Sequence, residues 1–486
     1  MKDAGVTSYR DLKNMIEKNR EVIYSNDMEE QQETATTALH SSVDNITIHN
    51  PIVNLSITED ESKPSTSKQQ IVHENIFDQL KGNNKHIFVL STAGKPIYTR
   101  FGNENQMASL FGLMIALVSV TQDSNDTLQS ICCGHTRIVF LNKDPIILVG
   151  VSQSAEPYDR IKKQLTYVYN NIISILTLTQ LKKIFHNRNN FDLRRLMSGS
   201  ERLIDKLISF TENDPGFYLD SISCLQMPSS NRDKITQTIL TECSKIKNLV
   251  FGLLIAQKHI ISIIRMKKYS LEVSDIHLIL NLINSTESFK TAESWTPICL
   301  PAFDSSGFMH AHISYLAEDC QACLVLLTID RDLFFLLSDA KRKITEKMRR
   351  NDCLQAINEA IVRQPLNLAR ANIVGLRHLL YKNKNRSQHW SPPFTSPYNT
   401  DTLQQNLMSV YCSLISQMNF PGRTLKVIYQ QLTAETMLAW ATDDVELYMC
   451  FEPLVSKECA TNAITKLTQW MKKEEDSLFI FNIPMF

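Results

Sequence analysis

The 486-residue chain is 43% hydrophobic and 21% charged, a composition that buries apolar cores over a length sufficient for several domains. Lys plus Arg number 51 and Asp plus Glu 51, so the basic excess of a generic nucleic-acid binder is missing. A membrane span needs about 18 consecutive apolar residues; the stretch 110–120 is too short, and 249–264 is interrupted by Gln257, Lys258 and His259.

Eleven cysteines, odd in number and irregular in spacing, follow an opening MKDAGVTSYRDLKN that has no apolar run. Free thiols in a reducing cytosol are expected. Residues 1–75 hold 13 acidic and 7 basic side chains (net −6), with Tyr9 and Tyr24 as their aromatics. So few large apolar groups cannot offset the entropy of ordering, and residues 1–78 are expected to form a disordered acidic arm. Tracts such as EEQQETATTALHSS and EDESKPSTSKQQ fit either a passive tail or a regulatory arm, phosphorylated and folded back on the mildly basic body.

From residue 86 the pattern changes. HIFVLST reads as a strand, the turn Gly94-Lys95-Pro96 follows, and PIYTRFG is its hairpin partner. Asn103 caps an amphipathic helix to about residue 120, with Met107, Leu110, Phe111, Met114 and Leu117 on its apolar side. The strands LQSICCG, RIVFLNK and PIILVGVS come next, then a long helix over 158–185 and another over 193–210. The order β-β-α-β-β-β-α returns from residue 249: LVFGLLIAQ, HIISIIRM, a helix over 273–285, TPICLP, FMHAHISYL, ACLVLLTI, and a helix over 331–362 broken near Asn351. A weaker third copy starts at LRHLLYK near 375. Its irregular partner is SQHWSPPF, followed by a helix over 402–417, the strands LKVIYQQL, TMLAWAT and VELYMCF, and a helix over 457–473.

Repeats of this size are whole domains, not solenoid units. Two strands, a crossover helix, three strands and a covering helix make an antiparallel five-stranded sheet flanked by helices. The fold class is α+β, in three longin or roadblock-like domains over 79–212, 213–364 and 365–486.

Motifs for covalent chemistry are missing: there is no GxxxxGK[ST], GxGxxG, GxSxG or HExxH. His310 and His312 share one strand face near Cys320 and Cys323, a CxxC spacing that suits zinc, but no second CxxC lies near. Strand histidines and buried thiols are the plainer reading, with no metal or cofactor expected. Chemistry of this kind belongs to a surface-presenting protein.

The strings HIFVLSTAGKPIYTRFGNENQMASLFGLMIALVS, SWTPICLPAFDSSGFMHAHISYL, LRHLLYKNKNRSQHWSPP and ELYMCFEPLV resemble the SAND family, the monensin-sensitivity vacuolar fusion proteins of endosomes. The resemblance covers about residues 80–486, and its main departure is His389-Trp390 in the third unit. It implies an obligate heterodimer with a second tri-longin subunit, the caffeine-, calcium- and zinc-sensitivity protein. That pair acts as a guanine nucleotide exchange factor for the late-endosomal Rab GTPase. It is recruited by the early-endosomal Rab and by acidic phosphoinositide membranes, with an additional regulatory subunit in animals. The implied location is the cytoplasmic face of endosomes and of the lysosome or vacuole. A passive longin adaptor, or exchange toward a different Rab, are the competing classes.

In the resembling family the first units pair and cradle the Rab. Gly94, Lys95, Pro96, Tyr98, Arg100, Phe101, Asn103 and Glu104 are therefore GTPase-contact candidates, or else ordinary turn and core residues. Met107, Leu110, Phe111 and Met114 are subunit-interface candidates on a helix apolar on more than one face. Trp295, at the mouth of a strand, is a candidate dock for the recruiting GTPase or a cap on its own core. The basic cluster Lys341, Arg342, Lys343, Lys347, Arg349 and Arg350, with Lys182, Lys183 and Arg188, fits membrane attraction or a solvated helix face.

Overall fold

A computed structural model describes residues 80, 82–102, 107–154, 156–423 and 425–486. The acidic arm, and the candidates Asn103 and Glu104, lie outside the described residues. The chain divides into residues 1–81 and 82–486, and everything below concerns the second unit.

The first sheet has strands β1 (Lys85–Ser91), β2 (Pro96–Thr99), β3 (Ser130–Cys133), β4 (Thr136–Lys143) and β5 (Ile146–Ser152), in the antiparallel order β2-β1-β5-β4-β3. Every residue of β1 is buried because helices cover both faces of the sheet. Phe88 meets Phe111 of helix α1 (Ala108–Asp123) edge-on at 5.4 Å on one face. Ile87 and Val89 pack with Ile161, Leu165 and Val168 of helix α2 (Tyr158–Leu176) on the other. The approach is close: a Cβ on Gly150 of β5 would stand 2.7 Å from Ile161.

The helix expected over 158–185 is broken. Thr177 takes a left-handed φ of 60° and its hydroxyl accepts from the Gln180 backbone at 3.2 Å, ending α2 and capping helix α3 (Leu178–Asn187). Helix α4 (Glu201–Asn213) follows, with Ile204, Leu207 and Ile208 as its buried stripe.

The second sheet runs β8-β7-β11-β10-β9, from β7 (Leu249–Ala256), β8 (His259–Arg265), β9 (Ser294–Leu300), β10 (Asp304–Ala317) and β11 (Cys320–Thr328). A short helix α5 (Pro215–Leu219) and the two-residue strand β6 (Ile222–Ser223) precede it, then α6 (Ser229–Cys243), which sequence reading missed. Helix α7 (Val273–Ser285) is the crossover. Helices α8 (Phe334–Arg350) and α9 (Cys353–Val362) are separated at Asn351 and Asp352, where a break was expected.

The third sheet is built from β12 (Leu376–Asn383), β13 (Gln388–Trp390), β14 (Val427–Gln431), β15 (Thr436–Ala441) and β16 (Val445–Phe451). Its order is β14-β15-β16-β12-β13, extended by β6 in parallel on β13, so it has six strands where five were expected. Helices α10 (Asp401–Met418) and α11 (Lys457–Leu478) cover its faces.

The segment after α4 joins the second and third sheets. Ile222 donates its backbone NH to Ser387, while Leu225 donates to Ile260 of β8. The chain end returns to the same strand, with Arg265 and Phe486 exchanging backbone hydrogen bonds with residues 484 and 265. Both segments cover an edge that would otherwise offer unpaired backbone groups. At the junction His277 lies between the Tyr167 hydroxyl (2.9 Å from Nδ1) and the Ser221 carbonyl (3.1 Å from Nε2), with Phe217 stacked on its ring.

Candidate functional site

The hairpin β1–β2 presents fewer groups than the sequence suggested. Gly94 sits at the turn with φ +80°, and its NH donates to the Ser91 carbonyl at 2.9 Å. Lys95 is exposed and its ammonium donates to the Asn190 carbonyl at 2.7 Å, while Pro96 is half-buried.

Tyr98 is a core residue, not a presented contact. Its ring packs with the α2 side of the sheet and its hydroxyl donates to Asp205 of α4 at 2.6 Å. Burial and that carboxylate push the phenol pKa up. Arg100 is likewise committed, forking onto both carboxylate oxygens of Glu212 at 2.5 and 2.9 Å. Asp205 and Glu212 are seven apart, two turns along one helix face, and that spacing was the available signal for them. Phe101 remains at the surface, under the Arg100 guanidinium at 5.0 Å and edge-on to His86 at 5.9 Å. Of the described hairpin candidates, Lys95 and Phe101 are thus the exposed ones.

On α1 the assignment of faces is reversed. Met107, Leu110, Phe111 and Met114 are buried in their own domain, because they form the stripe that meets β1. The solvent face still carries Leu113 (43% exposed), Leu117 (37%) and Val120 (65%). Three aliphatic side chains at spacings four and three make one exposed stripe. At the sheet's edge, β3 is short and mostly exposed.

Trp295 lies half-buried on β9, the edge strand of the second sheet. Its indole stacks on His310 at 5.4 Å and 14°, touches Phe334 edge-on at 6.0 Å, and packs against the domain's core. Phe335, in ring contact with Phe334, is 81% exposed, and Leu336 beside it is also open. Sequence reading missed Phe335, the second residue of α8, in the run DLFFLL. His312, beneath, pairs through Nε2 with Glu293 at 3.1 Å. Cys320 and Cys323 face Ala317 and Tyr315 across the strands, and burial pushes the Cys323 thiol up to about 12. Among the described residues no three potential ligands gather around one point.

The basic helix is largely compensated. Lys341 pairs with Glu293 at 3.2 Å, Arg342 with Asp339 and Glu346 at 2.7 and 3.0 Å, Lys343 with Asp339 at 2.7 Å, and Lys347 with Glu242. Four carboxylates therefore stand among six cations, leaving Arg349 and Arg350 as its exposed basic end. Lys182, Lys183 and Arg188 are exposed on and just after α3. No helix among the described residues is long and apolar enough to cross a membrane.

Residues 85–207 match the first longin domain of FUZ, MON1 and HPS1, residues 247–346 the second, and residues 375–475 the third. The chain is 41% identical over 424 residues to the Protein SAND of Takifugu rubripes, covering 87% of this chain and 81% of that one. It is 39% identical to the vacuolar fusion protein MON1 homolog A of Gallus gallus, covering 86% and 78%. It is 34% identical to the vacuolar fusion protein MON1 of Cryptococcus neoformans, covering 84% and 67%. With three longin sheets in succession and likeness along most of its length, the chain belongs to the SAND/MON1 family of tri-longin proteins.

Proposed function

We propose that this chain acts in vesicle and vacuole fusion as one half of a guanine nucleotide exchange factor for the late-endosomal Rab. Its other half is a second tri-longin protein, the caffeine-, calcium- and zinc-sensitivity subunit. The observation that carries the reading is the aliphatic stripe Leu113, Leu117 and Val120 on the first longin domain, surplus to that domain's own core. Such a stripe fits a subunit partner, and the relatives named vacuolar fusion proteins supply the trafficking context.

Exchange needs no nucleophile. A GTPase holds its nucleotide through the P-loop, Mg²⁺ and ordered switch segments. A surface that binds the switches better when they are open shifts the equilibrium toward the empty form by its difference in affinity. Lys95 and Phe101 are the open groups of the hairpin for that task. The edge around Trp295 and Phe335 is the proposed dock for the recruiting early-endosomal Rab, because two aromatic rings at a sheet edge supply apolar area at low entropic cost. Arg349 and Arg350 are the proposed contact with phosphoinositide membranes.

The test is release of fluorescent GDP from a Rab panel by the reconstituted heterodimer. Acceleration for the late-endosomal Rab, with little from either subunit alone, is expected. A pure complex that leaves every endosomal Rab unaffected reduces the chain to a longin adaptor or tether.

A further inference from the structure

The segment between α3 and α4 lies against the hairpin tip. Its Asn190 carbonyl holds the Lys95 ammonium at 2.7 Å, and its Leu193 and Met197 are buried in the first domain's core. The run Leu193-Arg194-Arg195-Leu196-Met197-Ser198-Gly199-Ser200 leads from there into α4. Arg194 folds back on Asp192 and donates to both carboxylate oxygens at 3.0 Å. With that carboxylate taken, Arg195 stays exposed, as do Leu196, Ser198 and Gly199.

An arginine three residues ahead of a hydroxyl is the pattern selected by kinases whose substrate groove carries carboxylates. In the whole sequence that spacing occurs twice, at Arg195–Ser198 and at Arg342–Thr345. The fold separates the two. Thr345 lies within α8, where its hydroxyl donates to the Lys341 carbonyl at 2.9 Å, and Arg342 is paired with Asp339 and Glu346. Ser198 instead follows a single helical turn, Arg194–Met197, and its φ of −53° and ψ of 125° already give the extended backbone that a kinase groove takes. Gly199 comes next at φ +85°, and a Cβ there would meet nothing within 4 Å, so open space surrounds the acceptor. Freeing the turn gives up few bonds, chiefly those from the Leu196 and Met197 backbones to the Leu193 carbonyl.

We propose that Ser198 is the acceptor for an arginine-directed protein kinase. Its Oγ attacks the γ-phosphorus of ATP and the bond to the β,γ-bridging oxygen breaks. ADP leaves with the electron pair, and the hydroxyl proton passes to the kinase's catalytic carboxylate. Residues 188–202 hold four arginines, at 188, 194, 195 and 202, against Asp192 and Glu201, a net charge of +2. A phosphoserine adds about −1.5 to −2 at pH 7, so the basic edge beside Lys95 becomes about neutral. The modification resets the charge that a partner of the hairpin meets. The inference is independent of the exchange reading.

The test incubates the folded full chain with Mg-ATP and calmodulin-dependent protein kinase II, which selects arginine at that spacing, and maps phosphopeptides by tandem mass spectrometry. Casein kinase II, which selects acidic residues, is the comparison, because Glu201 stands three residues after Ser198. Phosphate at Ser198 is expected from the first enzyme, approaching one per chain and entering at least tenfold faster than from the second. Arg195→Ala should slow that labelling at least tenfold while keeping the parent's unfolding temperature, and Thr345→Ala should leave the rate at Ser198 unchanged. Ser198 left unmodified, or modified only after urea has opened the chain, overturns the proposal. Full-rate labelling of Arg195→Ala, or a preference for the acidophilic enzyme, overturns it equally.

Discussion

Arg100, the last residue of the β1–β2 hairpin to be held by the fold, closes its guanidinium fork on Glu212, 112 residues further along the chain. With the Tyr98 hydroxyl on Asp205, this pins the hairpin to one face of α4. The hairpin is therefore a rigid platform that presents Lys95 and Phe101 from a fixed base.

Breaking the fork should loosen that platform. Removing one partner of a partly buried charge-assisted pair costs about 1–3 kcal/mol. Arg100→Ala and Glu212→Ala should each lower the unfolding free energy measured in urea by this amount, and the double variant should cost clearly less than the sum. Additive losses in the double-mutant cycle would show that the two side chains do not interact.

The two faces of α1 should respond in opposite ways. Phe111→Ala removes a buried ring and should cost about 3–5 kcal/mol of stability. Leu117→Asp changes only the solvent face, so unfolding should move by no more than about 0.5 kcal/mol. Co-purification with the second tri-longin subunit should nevertheless be lost in Leu117→Asp. Intact assembly of that variant would remove the stripe from the interface.

These faces illustrate what the sequence could and could not disclose. The strands were legible because HIFVLST, LVFGLLIAQ and ELYMCF are continuous apolar runs, and a strand covered on both sides must be one. Alpha1 was legible as a helix but not as an oriented one: with Phe111, Leu113, Met114 and Leu117 all apolar, periodicity does not distinguish core from surface. Tyr98 and Arg100 looked like contacts because their carboxylate partners lie more than 100 residues away, beyond any local pattern. The two-residue strand β6 pairs through backbone groups that no side-chain pattern reports. Alpha6 was missed because its apolar stripe narrows to Ile235, Ile239 and Cys243 in a polar segment.

At the second domain, docking and packing separate by choice of residue. Trp295 stacks on His310 and touches the core, so Trp295→Ala should cost about 1–2 kcal/mol as well as recruitment. Phe335 is mostly solvated, and Phe335→Ala should leave the unfolding free energy within about 0.5 kcal/mol of the parent. Pull-down with the GTP-loaded early-endosomal Rab should weaken several-fold in both variants. Undiminished capture by Phe335→Ala would move the dock elsewhere.

The domain junction should make the fold sensitive to mild acid. His277 is fully enclosed by Tyr167, Phe217 and the Ser221 carbonyl, and burial lowers its pKa from 6.5 to about 4, against a raising influence from Asp214 and Asp220. His389, hydrogen-bonded to the Ser221 hydroxyl at 3.0 Å, is also lowered by burial. A histidine whose folded pKa is depressed leaves the unfolded chain binding more protons between the two values. Its stabilisation is therefore complete above pH 6.5 and lost progressively as pH falls toward 4, at up to about 1.4 kcal/mol per pH unit for one site. Urea midpoints taken from pH 7.5 down to pH 5 should stay level and then decline. His277→Asn, which has no proton to gain, should start lower in stability but fall with a shallower slope; equal slopes in the two proteins would place the acid sensitivity at other histidines.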